Sequence, residues 1–516
     1  MNQKNSMMNK IFSVILIASA IYIFIQARFG FDLDLVWHYL LGEDIVTSGK
    51  ILFENKYSWI EGTYWNQHEW LFDVVFYVVV KNAGLVGYSI LYIVAIAALI
   101  YMGYRINKQN IKSTTMYLMT SLFLMIVIPM TQINRPSDFS TLLLPLLLYL
   151  YSYDRTGKQV RISAFVFFIS GIFVANFHCA QGIAILAMLF VRYVLDAVFS
   201  LFLKRKLVKY FIHKFGYMML YLFGMFINIL GPKQIINVFK VLDMNSTDYI
   251  QEWRAIPLTN YVTIIILILI IMSFGHALAN RRKSLIILGE EISTPEYEER
   301  VLTNLALICA TLVITMYSAK SSVLFVYMFI CFGYQYFEKM ITDCLKIITK
   351  KEVEIPSVSN KVLVSGIIVG CIFGTLSFLT NGMTFEDYVH KNQSQIISDD
   401  IITCVQSEED VRLLHSYNIA NYMMFNDIPV IVDTRQQPYA RENGYSETCD
   451  DVFYLMYQAK SNEDVESIIS KYDINMVLCD KSMNLCWYFE NNSNYELIAE
   501  DEFGNVVFKR LFEVSY

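Results

Sequence analysis

The stretch 11-IFSVILIASAIYIFIQARFGFDLDLVWHYLLGEDIVTSGK-50 joins an uncharged apolar run to a segment crowded with ionisable groups. Residues 11–27 hold no Asp, Glu, Lys or Arg, and the run approaches the roughly 17–25 residues a helix needs to cross about 30 Å of hydrocarbon. Two aspartates two residues apart and a Trp-His pair then fall where the chain would be leaving lipid. Charge inside a bilayer is costly, so these residues stand at the exit for a reason, either as helix caps or as chemistry. Comparable runs recur at 88-YSILYIVAIAALIYMGY-104, 261-YVTIIILILIIMSFG-275 and 361-KVLVSGIIVGCIFGTLSFL-379. With 55% hydrophobic and only 17% charged residues, the chain is no ordinary soluble domain. Helices satisfy their own backbone groups in lipid, so an α-helical polytopic membrane protein is expected. The first run has no small-residue cleavage site leading into a soluble chain and is read as a retained span.

Charge is segregated along the chain, so the net −6 says little. Basic residues cluster at Lys4/Lys10, Arg105–Lys112, Arg155–Arg161, Lys204–Lys214, Arg281–Lys283 and Lys346–Lys351. In a multi-pass protein such loops lie in the cytoplasm, which puts the N-terminus inside and gives 10–12 spans. No Lys/Arg array points to nucleic acid. Residues 70–104 strain the count, because they are too many for one straight span and 81-KNAGLVG-87 breaks them. The outer face then holds 29–69, short turns, 231–257 and everything past 381.

Past residue 381 the apolar runs shorten. Segments 428-IPVIVD-433, 474-INMVLCD-480 and 504-GNVVFKR-510 read as strands, while 408-EEDVRLLHSY-417 and 462-NEDVESIISKYD-473 carry helical periodicity. A membrane module over 1–380 and an extracytoplasmic α/β domain over 381–516 are therefore expected. The second contains no G-x-G-x-x-G element, P-loop or nucleophile elbow. Its cysteines, Cys404, Cys449, Cys479 and Cys486, allow one or two disulfides or free thiols. None has the paired spacing of a zinc site.

Sorting polar residues by side gathers Asp32, Asp34, His38, His68, Glu69, Arg135, Asn176, His178, Glu252 and Arg254 at the outer mouth, interleaved with Trp37, Trp59, Trp65, Trp70 and Trp253. Within 31–46 the apolar residues recur at helical spacing, which predicts an amphipathic interfacial helix with Asp34 and His38 one turn apart on its polar side. The loop returns through Trp65 to 68-HEW-70, so both ends bring a carboxylate to the bilayer surface, as a general base beside a membrane-bound substrate requires. Each residue also has a plain structural use. Asp32 and Asp34 can cap the helix, the tryptophans can anchor it, His178 can be a satisfied bundle histidine, and Asp433 with Arg435 can stabilise a turn. Their coincidence on one side carries the functional alternative.

The pattern D-L-D-x-x-W-H-x-x-x-G, followed by 65-W-x-x-H-E-W-70, resembles the first outer loop of bacterial GT-C glycosyltransferases, in a subgroup distantly like protein O-mannosyltransferases. The likeness continues in 134-NRPSDFSTLLLPLLLYL-150, 174-VANFHCAQG-182, 252-EW-253, 418-NIANYMMFNDIPVIVDTR-435 and 500-EDEFGNVVFKR-510. It implies inverting transfer from a polyprenyl-phosphate-linked sugar to an exported glycan, lipid or protein acceptor at the outer face of the cell membrane. Carried over, Asp32 or Asp34 is the base, and Arg135 and Arg254 hold the donor phosphate with paired guanidinium donors. His38, Trp65, His68, Glu69, Asn176, His178 and Glu252 bind acceptor or sugar. Relatives sometimes use a divalent metal; Mg2+ or Mn2+ suits an Asp/Glu/His set, although the spacing does not require one. Two other classes remain: a transporter or lipid-linked-glycan flippase, which predicts ionisable residues along the spans, and a non-catalytic cell-envelope polysaccharide scaffold.

Overall fold

In a computed structural model of the chain, the helix from Trp70 to Asn107 is interrupted at Gly84, whose φ of 60° and ψ of −168° are non-helical. Glycine reaches that conformation without a Cβ penalty, so 81-KNAGLVG-87 is a true kink. The structure describes residues 7, 10, 11, 13–22, 34–108, 110–127, 135–152, 157–202, 208–242, 261–279, 285–287, 290–292, 294–350, 359–379, 384–435, 448–459 and 461–511. Two compact units result: Met1–Gly30 with Val86–Ile235 and Ile250–Gly382, and Phe31–Leu85 with Ile236–Tyr249 and Met383–Tyr516. By contact, therefore, the first loop clusters with the C-terminal domain and not with the module drawn at 1–380.

The described residues of the first unit are mainly helical. The first apolar run forms α1 (Ser13–Tyr22); in the second unit follow α2 (Asp34–Ser48) and the start of α3 (Trp70–Asn107). Next in chain order come α4 (Thr114–Val127), α5 (Pro136–Thr141), α6 (Leu143–Ser152), α7 (Gly157–Phe177), α8 (Cys179–Phe202) and α9 (Val208–Met225). Among the described residues, four helices are long and apolar enough to cross a membrane, at Trp70–Asn107, Gly157–Phe177, Cys179–Phe199 and Arg300–Tyr317. This is a membrane protein. Phe167 of α7 stacks on Tyr217 of α9 at 5.0 Å, and Tyr221 donates to the Gly182 carbonyl at 3.2 Å. Glu338 accepts from the backbone N–H groups of Lys112 and Ser113 at 2.9 and 2.8 Å, and so satisfies donors that the start of α4 would otherwise leave open.

The central parts of the spans read as almost free of charge, yet α8 and α9 hold a buried cluster. Asp196 accepts from Arg192 Nε and from Lys214 Nζ, both at 2.9 Å, and Arg192 also donates to Asn304 at 2.9 Å. Lys214 sits in this network and not in a solvated basic loop. Both carboxylate oxygens of Asp196 are used, which is how a buried charge becomes tolerable.

In the second unit a four-stranded sheet runs β3-β4-β6-β5, where β3 is Leu413–His415, β4 Met476–Asp480, β5 Tyr495–Glu500 and β6 Asn505–Arg510. A short hairpin, β1 (Leu285–Ile287) with β2 (Glu290–Ile292), belongs to the first unit. Strand β3 is parallel to β4, and β4–β6 and β6–β5 are antiparallel. The strands expected at 474–480 and 504–510 and the helix expected at 462–473 are present, the last as Asn462–Lys471. Two expectations fail. Residues 408–416 are not helical: the preceding helix stops at Gln406, Leu413–His415 is buried strand, and only Tyr417 opens a 3-10 turn. Residues 428–433 form no strand, only an isolated bridge from Val430 to Ser58. The β-like pattern there reflects burial, since Val430, Ile431 and Val432 are fully covered. Cys404, Cys479 and Cys486 are free thiols.

The first loop supplies part of this core. Ile60 packs in the same cluster as Leu414, Ile431, Val477 and Phe508, and Tyr57 and Trp59 exchange backbone hydrogen bonds with Val430 at 2.9 and 3.2 Å. His415 is wholly buried. Its Nδ1 donates to the Ser416 carbonyl at 3.0 Å, and burial lowers its pKa to about 4 despite the neighbouring Asp433. The unfolded chain then binds more protons between about pH 4 and 6.5, so stability is complete above pH 6.5 and is lost as pH falls towards 4. A shift of that size is worth about 3 kcal/mol. Denaturant melts of the protein are expected to show this acid loss, and His415→Gln to flatten it.

Candidate functional site

Helix α2 begins at Asp34, a partly exposed residue in its first turn. Five consecutive residues, Leu35 to Tyr39, are buried, which covers more than one full turn. The expected one-sided interfacial helix is thus corrected: His38 does not share a polar face with solvent but is 1% exposed. Gly42, one turn further on, explains the close approach, because a Cβ there would lie 2.2 Å from the Asp73 carbonyl oxygen. Only glycine lets α2 and the start of α3 touch at the backbone.

That contact sets His38 between two carboxylates. Its Nδ1 bonds Asp73 Oδ1 at 2.5 Å, and its Nε2 lies 3.9 Å from Glu69 Oε2. Glu69 and Asp73 are one turn apart at the N-terminal end of α3, with the Asp73 N–H bonded to the Glu69 carbonyl at 3.0 Å; the helix dipole favours negative charge there. His68 Nε2 stands 3.7 Å from the other oxygen of Glu69. Aromatic rings close the cluster: Trp37 meets Trp65 edge-on at 5.8 Å, Trp65 lies 5.3 Å from His68, and His38 meets Phe72 at 4.6 Å. Asp73 was not among the sequence candidates; the Glu69/Asp73 spacing of four and Gly42 four residues after His38 were the available signals.

Several polar atoms in this cluster have no hydrogen-bond partner among the described residues although they are buried: Trp37 Nε1, Trp65 Nε1, Gln67 Oε1 and Asp73 Oδ2. Each such group costs about 1–3 kcal/mol unless something meets it. Two donors and two acceptors are thus left without a partner among the described residues, beside an imidazole and closed to solvent.

Arg435 borders the same region. Its guanidinium lies 5.3 Å from the Trp65 ring and 5.6 Å from that of Tyr57. It donates to Asp433 Oδ1 through Nε at 2.8 Å and to Oδ2 through Nη2 at 2.5 Å, and reaches Asn55 at 2.7 Å. Asp433 and Arg435 thus stabilise a turn and tie it to the first loop. Tyr57 donates in turn to Asp44 at 2.7 Å, and burial with this carboxylate pushes its phenol pKa up.

Arg135, Asn176 and His178 belong to the first unit. Arg135 precedes Pro136 at the start of α5, its N–H bonded to Asp138 Oδ2 at 3.2 Å. Asn176 bridges the Ile172 and Ile227 carbonyls, both at 2.8 Å. His178 Nδ1 accepts the Gln181 N–H at 3.0 Å and caps α8. Asp32, Glu252 and Arg254 lie outside the described residues. Among the described residues no group of three His, Cys, Asp or Glu is set to hold a metal. Asp73 and Glu69 meet different nitrogens of one imidazole, at 2.5 and 3.9 Å.

No protein-family model matches the sequence, and no curated protein matches it. Among solved structures, the chain resembles the oligosaccharyltransferase of Archaeoglobus fulgidus tethered with an acceptor peptide containing the NVT sequon. The TM-score is 0.51 at 10% identity, over 97% of this chain and 74% of that one. The A. fulgidus oligosaccharyltransferase AglB in complex with an inhibitory peptide and a dolichol-phosphate gives 0.49 at 10% identity over 98% and 74%. ArnT from Cupriavidus metallidurans bound to undecaprenyl phosphate gives 0.49 at 11% over 96% and 97%. At such identities the likeness is one of fold: this chain has a GT-C-like membrane fold with a C-terminal α/β domain.

Proposed function

We propose that the protein is an inverting membrane glycosyltransferase that moves a sugar from a polyprenyl-phosphate donor to an exported acceptor at the outer face. The observation that carries this is the His38 cluster, in which an imidazole held between Glu69 and Asp73 lies among buried donors and acceptors left open by Trp37, Trp65, Gln67 and Asp73. The fold shared with an oligosaccharyltransferase supports it. The subgroup like protein O-mannosyltransferases remains part of the proposal.

In the proposed step the acceptor oxygen attacks the anomeric carbon as the bond from that carbon to the donor phosphate oxygen breaks. Polyprenyl phosphate leaves with the bonding pair, and the acceptor proton passes to Asp34 or Asp32. Arg135 and Arg254 would hold the departing phosphate, for which a guanidinium supplies two parallel donors. His38, fixed by Asp73, would orient a sugar hydroxyl, with His68, Glu69 and Trp65 around it; Asn176, His178 and Glu252 remain assigned to acceptor or sugar. The transporter alternative needs ionisable groups lining a path, whereas the Arg192–Asp196–Lys214 cluster satisfies itself internally.

The test is incubation of the purified protein with a panel of polyprenyl-phosphate sugars and acceptor glycans, following release of polyprenyl phosphate. Acceptor-dependent release from at least one donor is expected. Intact donors across the panel, with folded protein, would overturn the proposal.

A further inference from the structure

A groove of about 790 Å³ lies within the second unit, on the seam where the first loop meets the C-terminal domain. Its volume falls within the roughly 300–1,000 Å³ typical of ligand sites. Trp59 and Tyr472 form part of its wall, and both rings are held. The Trp59 indole donates to the Leu413 carbonyl at 3.3 Å, and the Tyr472 hydroxyl donates to Asp451 at 2.8 Å. Rings fixed in advance lose little freedom when something stacks on them.

The charges lining the groove are unequal. The cations Arg412 and Lys471 are drawn to Asp473 and Asp451, which are not part of the lining. Glu61, Asp410 and Asp427 are exposed lining carboxylates. An ionised carboxylate only accepts hydrogen bonds, so the groove asks for donors and disfavours anions. Aromatic rings beside such acceptors match a pyranose, with C–H groups on its face and hydroxyl or amino donors at its rim.

We propose that this groove binds a neutral or amino-bearing oligosaccharide, the acceptor chain of the transfer reaction. The acceptor role rests on the function proposed above; the binding itself does not. Glu61, Asp410 and Asp427 receive the hydroxyl and ammonium donors, and Trp59 and Tyr472 receive the sugar faces. The loop that carries Trp59 is the same one that leads from α2 to Glu69, so bound acceptor and proposed catalytic groups share one continuous segment of chain.

Calorimetric titration of the purified full-length protein with a glucosamine tetramer, an N-acetylglucosamine tetramer and a galacturonate tetramer tests this. The first two are expected to bind and the anionic third to fail. Asp410→Asn with Asp427→Asn, both at exposed positions, is expected to weaken the glucosamine tetramer about tenfold while changing the acetylated one less than about twofold. Trp59→Phe is expected to weaken both. Absence of binding by either amino-sugar oligomer overturns the proposal, as does stronger binding of galacturonate or of a lysine-rich tetrapeptide, or indifference to all the substitutions. Binding by a protein that releases no polyprenyl phosphate would remove the acceptor role and keep the site; release without binding would do the reverse.

Discussion

A variant carrying Asp32→Asn and Asp34→Asn is expected to insert and fold like the parent and to lose at least about 100-fold in turnover, since a positioned general base contributes some 10²–10⁴-fold. Asparagine keeps the shape and the helix-capping capacity of aspartate, and Asp34 is only partly buried at the first turn of α2. Thermal melts in detergent are therefore expected to be unchanged, which separates loss of chemistry from loss of structure. The two single variants identify the base, because only one of them should reproduce the full effect. Release of polyprenyl phosphate is the measurement. An unimpaired double variant would remove general-base chemistry from this loop altogether.

The second large effect is on stability. Asp433 and Arg435 have fully buried side chains, and breaking such a pair from one side strands a charge, at a cost of about 3–5 kcal/mol. Arg435→Ala also removes the contacts to Asn55 and the rings of Trp65 and Tyr57. It is expected to unfold the second unit at much lower denaturant, seen as early proteolysis of the C-terminal domain. Replacing both partners with apolar residues of similar volume is expected to cost far less, because no buried charge is left alone. Equal losses in the two variants would mean that packing, and not the charge, carries the pair.

The membrane class, the kink near Gly84 and the strands 474–480 and 504–510 were legible in the chain because each depends on local pattern: long uncharged runs, a glycine where a helix must break, and short apolar segments bounded by polar ones. The segments misread were those whose environment is set from afar. Leu413 and Leu414 look like part of a helical stripe until β4 arrives beside them, 63 residues later in the sequence. Val430 to Val432 look like a strand, although their burial comes from packing and their one bridge from the first loop.

The site divides in the same way. Sequence alone marked Asp34, His38, Trp65, His68 and Glu69 as unusual polar and aromatic residues at a membrane exit, because lipid makes ionisable groups conspicuous. It also set the helical, multi-spanning class, since apolar length and a self-satisfied backbone leave no other choice. Only the tertiary structure decided that His38 turns inward to Asp73, that Gly42 permits this, and that the first loop joins the core of the C-terminal domain. Those outcomes depend on which distant surfaces exclude water from one another, and no window of neighbouring residues carries that information.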